Sequence, residues 1–328
     1  MLKEILRFRQ PTRTRSLFEL AVTAVPFVAL WLLTSILLGS GHVLGFLLTV
    51  PAGAFLLRLF LIQHDCGHGA FFQGRTSNDW VGRILGILTF TPYDYWKRSH
   101  AIHHASTGNL GARGVGDVDT LTVAEFQGLN RFRRILYRVY RHPMILFGVG
   151  PAYQFLLKHR LPLGMMKNGW RPWISTLGTN ASIAAVAAAL IWAMGLKLFL
   201  IVHLPITLVA ATIGVWLFYV QHQFEQTHWA EAADWSFHDA ALHGSSHYDL
   251  PLVLRWFTAN IGAHHVHHLA SRIPFYRLPE VLRQVPALAS VSRVTMSQSL
   301  RAVRLTLWDE QKQRLVSFAE AGMVPSPR

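Results

Sequence analysis

The chain has a single cysteine, Cys66, and few charges of either sign. One thiol excludes an internal disulfide, a cysteine-rich zinc site and an iron–sulfur cluster. Charged residues make up 15% and hydrophobic residues 51% of the 328 positions, whereas an average soluble domain carries about 25% charged residues. A chain with so few charges cannot coat a water-facing surface, which excludes an ordinary cytosolic protein as well as a disordered or fibrous one. Acidic residues are scarcest: 17 stand against 31 Lys and Arg, a net charge of +14. No internal repeat, low-complexity tract or flexible linker divides the sequence, so a single domain over 1–328 is expected.

What the chain has instead is long apolar runs. Residues 17–38 carry only Glu19 as a charge, 43–63 only Arg58, and 173–195 and 198–221 hold no more than a single charge between and within them, Lys197 at their joint. Each run has about the 20 residues that a helix needs to cross a bilayer, and none shows the polar stripe of a soluble core helix. The expectation is an all-α integral membrane protein with four transmembrane helices in two hairpins. The first run is too long for a signal-peptide core and lacks a small-residue cleavage site, so it is expected to be retained. Two shorter apolar pieces, 81–90 and 144–157, suit re-entrant, interfacial or buried packing segments.

The basic residues are placed asymmetrically. Lys3, Arg7, Arg9, Arg13 and Arg15 precede the first run, and a dense series including Arg131, Arg133, Arg134, Arg138 and Arg141 lies between the hairpins. Positive loops stay cytoplasmic, so both termini and parts 1–16, 64–172 and 222–328 are expected on that side. The basic excess is then a topology signal rather than a sign of nucleic-acid binding. Arg131 to Arg141 suits either an acidic electron-donor protein or anionic lipid headgroups.

Ten of the eighteen histidines fall in four short clusters: His64 and His68; His100, His103 and His104; His222 alone; and His264, His265, His267 and His268. On a helix, residues three and four apart share a face, so His64 meets His68, His100 meets His103 and His104, and His264 meets His267 and His268. His265 is turned away. Packed imidazoles repel if protonated and strand their nitrogens if neutral. A metal resolves the conflict, and nine ligands exceed one ion's coordination, so two ions are the economical count. Imidazole alone leaves Zn, Cu, Fe and Ni open. There is no His-Glu-x-x-His motif for a zinc protease and no Glu-x-x-His pair for a carboxylate di-iron bundle.

The ordered boxes His64-Asp-Cys-Gly-His68, His100-Ala-Ile-His103-His104 and His264-His265-Val-His267-His268 resemble those of the membrane fatty acid desaturases, and the flanking sequences are similar to the acyl-lipid branch. These include Phe71-Phe72, Gly108-Asn109, Phe218-Tyr-Val-Gln-His222-Gln-Phe, Asn260-Ile-Gly-Ala and Leu269-Ala-Ser-Arg-Ile-Pro274. The resemblance implies two Fe2+ ions on a cytoplasmic helical cap, held by His64, His68, His100, His103, His104, His222, His264, His267 and His268, with His265 in a variable slot. It also implies an O2-dependent desaturase that leaves a cis double bond in an acyl-lipid or acyl-thioester substrate and needs no side-chain nucleophile. Relatives in the acyl-coenzyme A branch place an Asn where this chain has Phe218.

No dinucleotide loop, cytochrome b5 haem motif or ferredoxin cysteine set is present, so a separate donor of the ferredoxin or cytochrome b5 type is expected. Asp65, Asp94, Asp117, Asp119, Glu225, Asp234, Asp239 and Asp249 crowd the same segments and are candidates to orient the imidazoles. Trp31, Trp192 and Trp216 are candidates to line an acyl tunnel. A hydroxylase or ketolase acting on fatty acyl, alkane or carotenoid substrates is the alternative on this scaffold. A metal transporter would place polar groups at mid-membrane, where only Arg58 and His203 stand out.

Overall fold

A computed structural model of the protein describes residues 2–114 and 116–322; the outermost ends of the single domain expected over 1–328 lie outside these. Its helices include, in chain order, α1 (Arg13–Gly39), α2 (Thr49–His68), α3 (Arg75–Leu88), α4 (Tyr93–Ser106), α5 (Arg131–Tyr140), α6 (Arg171–Met194), α7 (Leu196–His222), α8 (Phe237–His243), α9 (Leu252–Phe257) and α10 (His264–Leu269), with further short helices between and after these. Among the described residues, four segments are long and apolar enough to cross a membrane: α1, α2 with the preceding 3-10 turn from Val43, α6 and α7. These are the four runs expected from sequence, extended at their ends by polar turns.

Burial differs sharply among the four. In α2, 56% of the most apolar stretch is buried inside the protein, in α6 only 6%. Thus α2 is the central helix, packed on α1, α3 and α7, while α6 shows most of its surface to lipid. The charge inside this bundle is paired: Arg58 donates to Glu19 Oε2 at 2.5 Å and to Thr23 Oγ1 at 3.1 Å. A third arm of Arg58 reaches the carbonyl of Trp256, and its guanidinium lies 4.1 Å from that indole's centre. A lone charge there would be costly, so Glu19, Arg58 and Trp256 tie α1, α2 and α9 together.

Two glycines decide how the histidine-bearing helices begin and end. Gly69 adopts φ +66°, and the Gly69 and Ala70 amides close on the Cys66 and Asp65 carbonyls. This left-handed cap ends α2 one residue after His68. A Cβ on Gly82 would lie 2.2 Å from the Tyr93 ring, so only glycine lets α3 approach the start of α4. Tyr93 then donates to the Cys66 carbonyl at 2.9 Å, seating α4 against the end of α2.

Of the shorter apolar pieces, 81–90 lies mostly in α3, packed against α2 and α6. The piece at 144–157 forms π-helical turns at Ile145–Val149 and Tyr153–Leu157, running along α7. The wholly helical expectation needs one correction. Beyond α7 the chain contains two small sheets, β1 (His247–Asp249) parallel with β2 (Arg293–Thr295), and β3 (Leu307–Asp309) antiparallel with β4 (Arg314–Val316). Each strand has three residues, too short for side-chain alternation to show in sequence.

The segment after α7 folds back over the ends of α2 and α7. The Phe275 amide donates to Asp65 Oδ2 at 2.7 Å, and the Gln221 side-chain amide donates to the Ile261 carbonyl at 3.1 Å. These buried bonds fix α10 beside the ends of the long helices.

Candidate metal centre

The four helices that carry histidine boxes converge at one level. His64 and His68 occupy the last turn of α2, His222 the last residue of α7, and α4 and α10 bring their boxes between these ends. The nine imidazoles sort into two groups: His64, His68, His100, His104 and His267 form one, and His103, His222, His264 and His268 the other. Within each group the facing nitrogens all lie within 4.8 Å of one another.

The partition follows helical geometry. Residues i and i+4 stay together, but the residue at i+3, expected on the same face, turns to the other group. So α4 gives His100 and His104 to the first group and His103 to the second, while α10 gives His264 and His268 to the second and His267 to the first. His68 and His222, the last residues of α2 and α7, belong to different groups. His265 points away from both, and its protonated Nε2 donates to the Leu288 carbonyl at 2.8 Å.

Hydrogen bonding cannot satisfy this arrangement. His100 Nε2 faces His64 Nε2 at 2.9 Å and His104 Nε2 at 3.1 Å. His222 Nε2 likewise faces His103 at 3.2 Å and His264 at 3.0 Å. A neutral imidazole nitrogen offers either one proton or one lone pair, so it cannot serve two such partners. His68 Nε2 is buried with no hydrogen-bond partner among the described residues. A cation within each group would answer these nitrogens at once. An ion about 2.1 Å from two imidazoles at right angles places their nitrogens about 3 Å apart, which matches the spacings here. Five and four ligands leave coordination positions open for a reactant.

Electrostatics agree with the neutral form that a metal requires. Burial pushes His100, His104, His264, His267 and His268 well below the usual imidazole range, and neighbouring imidazoles push further. Burial alone would raise the Asp117 carboxyl, but His103 outweighs it and holds the group below its ordinary value. Asp117 Oδ1 accepts from His103 Nδ1 at 2.6 Å, which turns Nε2 toward the second group.

Asp117 is the carboxylate that the sequence could not single out. Asp94 pairs instead with Arg83, and Asp249 with Arg255 and Arg293. Ser236 caps α8 and its hydroxyl donates to Asp239 Oδ2 at 2.6 Å, and Asp65 accepts from the Phe275 amide while lying 3.6 Å from His64 Nδ1. Apolar rings enclose the cluster. Trp96 stacks on His100 with centroids 4.6 Å apart, and Phe218 lies 5.2 Å from both His103 and His222. Ahead of α10, Ala259 and Asn260 adopt φ +48° and +54°. Asn260 donates its amide to the Phe275 carbonyl at 3.2 Å, anchoring this strained turn.

The histidines outside the boxes have other work. His159 bonds to Gln154 at 2.9 Å, and His247 donates to the Ala289 carbonyl at 2.7 Å. His203 receives the Trp31 indole at 3.4 Å, at an apolar cleft of about 150 Å³ lined also by Phe27, Phe90, Val186 and Phe199. Of the candidate tunnel tryptophans, Trp31 lines this cleft, Trp216 packs on Phe147, and Trp192 is 91% exposed on the outer face of α6.

Residues 40–299 match the family model described as fatty acid desaturase. A protein of Bacillus subtilis named fatty acid desaturase is 42% identical over 98% of this chain and 91% of its own length. Two proteins of Synechocystis sp., an sn-1 oleoyl-lipid 12-desaturase and an sn-1 acyl-lipid omega-3 desaturase (ferredoxin), are each 29% identical over 69% of this chain. The chain spans 64% and 63% of their lengths, respectively.

Proposed function

The chain belongs to the fatty acid desaturase family, which makes it an oxidoreductase, and from that premise we propose an O2-dependent desaturase that puts a cis double bond into acyl chains of membrane lipids. The observation that carries this is the sorting of nine buried or partly buried imidazoles into groups of five and four at the ends of membrane-spanning helices. The residues fit two metal ions, and the family chemistry points to iron. What such a pair supplies, when bound, is the dioxygen-driven one-electron oxidation that an unactivated C–H bond requires and no side chain provides.

The chain's own residues do the rest. His64, His68, His100, His104 and His267 hold one ion, and His103, His222, His264 and His268 the other. Asp117 keeps the His103 proton on Nδ1, so its Nε2 lone pair stays available. Trp96 and Phe218 shield the groups from water. Phe60 lies one helical turn before His64 and, with Leu56, Phe155, Ala210 and Gly214, lines an apolar seam between α2, α7 and the π-helical segment. The seam holds only about 20 Å³ here, so a methylene chain would enter it by displacing these side chains. The two hairpins, with the histidine-bearing cap and both termini on the cytoplasmic side, follow from the placement of basic residues. The named ferredoxin dependence of one Synechocystis relative supports a separate protein as electron donor.

The test is the fatty acid profile of a desaturase-free host expressing the chain. New cis-unsaturated acyl chains are expected with the natural sequence and none with His267→Ala. Hydroxylated products in their place, or no new product from metal-loaded protein supplied with donor, would overturn the proposal.

A further inference from the structure

The stretch from Arg131 to Trp170 lies in the connection between the two pairs of long helices and carries an apolar face that nothing among the described residues covers. In α5, Phe132, Ile135, Leu136 and Val139 are 67%, 51%, 50% and 49% exposed. Their spacing of three, one and three residues puts them on one side of the helix. The opposite side holds the helix to the body. Tyr137 donates to the Thr306 carbonyl at 2.8 Å, and Arg141, just past the helix, donates to Thr120 Oγ1 at 2.9 Å and to the Leu305 carbonyl at 2.9 Å. The apolar face therefore points outward by construction.

The arginines divide in the same way. Arg134 and Arg138 lie over Phe126, and Arg138 also over Phe318, which fastens them to the body. Arg131 and Arg133 are exposed, one on each side of the apolar face. No acidic residue occurs in α5. A basic helix with bulky apolar residues between its charges is the pattern of a helix lying in the plane of a membrane surface.

Its surroundings place it at that surface. Arg141 reaches the Tyr219 hydroxyl at 3.4 Å, level with the histidine-bearing end of α7. The chain then runs along α7, where Phe147 packs on Trp216 and its carbonyl accepts from Thr212 at 3.1 Å. Exposed Met144, Val149, Tyr153 and Leu157 continue the apolar line outward, and Trp170 is exposed just before α6 enters its span. The face of α5 is thus continuous with the lipid-facing surface of the bundle.

We infer that α5 docks on anionic lipid headgroups, with Phe132, Ile135, Leu136 and Val139 inserted among the upper acyl carbons and Arg131 and Arg133 on the phosphates. An acidic donor protein is the competing occupant for the same arginines. It would leave four large apolar side chains at a surface that already borders lipid, whereas headgroups accommodate both charge and apolar face.

The test uses the full-length protein, reconstituted in vesicles of phosphatidylcholine alone or mixed with phosphatidylglycerol, and a fluorophore at Leu136→Cys or at the exposed reference Ala232→Cys. Cys66 is buried and stays unlabelled. Lipids carrying a nitroxide near the headgroup should quench the Leu136 site about tenfold more strongly than the Ala232 site. In Arg131→Gln/Arg133→Gln protein the extra quenching gained from phosphatidylglycerol should disappear. The labelled protein with all arginines intact suffices for the first comparison, because Leu136 lies off the body contacts. Equal quenching at the two sites would overturn the inference. So would a Leu136 label that lipid leaves unquenched and reduced ferredoxin shields.

Discussion

Asp117 offers a way to weaken one metal group and spare the other. Its carboxylate accepts the His103 Nδ1 proton at 2.6 Å, and His103 belongs to the four-imidazole group. Asp117→Asn keeps the shape and can still accept that proton but removes the charge. A hydrogen bond to a charged partner contributes about 1.5–3 kcal/mol and a neutral one about 1 kcal/mol, so the loss is about 1–2 kcal/mol. At about 1.4 kcal/mol per decade, metal affinity of that group falls roughly 5- to 30-fold, toward the lower end of the range for residues that orient metal-bound imidazoles. The assay is iron per chain in anaerobically purified protein titrated with a chelator. One of two irons should leave at a lower chelator concentration in the variant, while the other leaves as in the natural protein. Two irons leaving together, or both at the natural concentration, would show that Asp117 does not orient a ligand.

Three further outcomes are expected. His265→Ala should keep both irons and most of the turnover, whereas His267→Ala should lose metal from the five-imidazole group; equal loss would mean that His265 also ligates. Burial holds His265 down at about 4, so the unfolded chain binds its proton first. Its contribution is intact above about pH 6.5 and is lost as pH falls toward 4, up to about 3 kcal/mol. His265→Gln, which retains an N–H for the Leu288 carbonyl, should therefore flatten the acid limb of the Tm–pH curve, and an unchanged limb would refute this. Finally, Glu19→Gln leaves Arg58 buried without its counter-charge and should cost about 3–5 kcal/mol. Arg58→Met should cost less, because Glu19 keeps Arg15 at 2.6 Å. Denaturation in detergent checks the order, and a greater loss from Arg58→Met would reverse the reading.

The long helices were legible because each needs only its own residues: about 20 apolar positions in a row identify a span wherever it packs. The box histidines were legible for a similar reason, since spacings of three and four are local. Their division into five and four was not. It depends on which side of α4 faces α2 and which faces α7, a tertiary relation set by close contacts such as Gly82 on Tyr93. Asp117 was hidden among eight acids for the same reason. It arrives 14 residues after His103, beyond a backbone reversal at Gly116 with φ +75° that brings it back onto the imidazole. The sheets went unforeseen because three-residue strands leave no period to read, and their pairing joins residues as distant as His247 and Arg293.

That non-local origin bears on how the centre is held together. The cap segment reaches the spans through apolar contacts and bonds such as Phe275 to Asp65, but α10 also places His264 and His268 in the group with His222, and His267 in the group with His64 and His68. Bare, these groups leave more buried nitrogens than hydrogen bonds can answer, which opposes the same closure that α10 completes. A metal bound in each group would turn those unanswered lone pairs into ligand bonds. Metal affinity and docking of the cap are therefore linked quantities: whatever loosens α10 weakens metal, and metal in turn stabilises the cap over the open ends of α2 and α7. The spans do not share this dependence, since α1 and α6 carry no ligand and owe their helical state to apolar length alone.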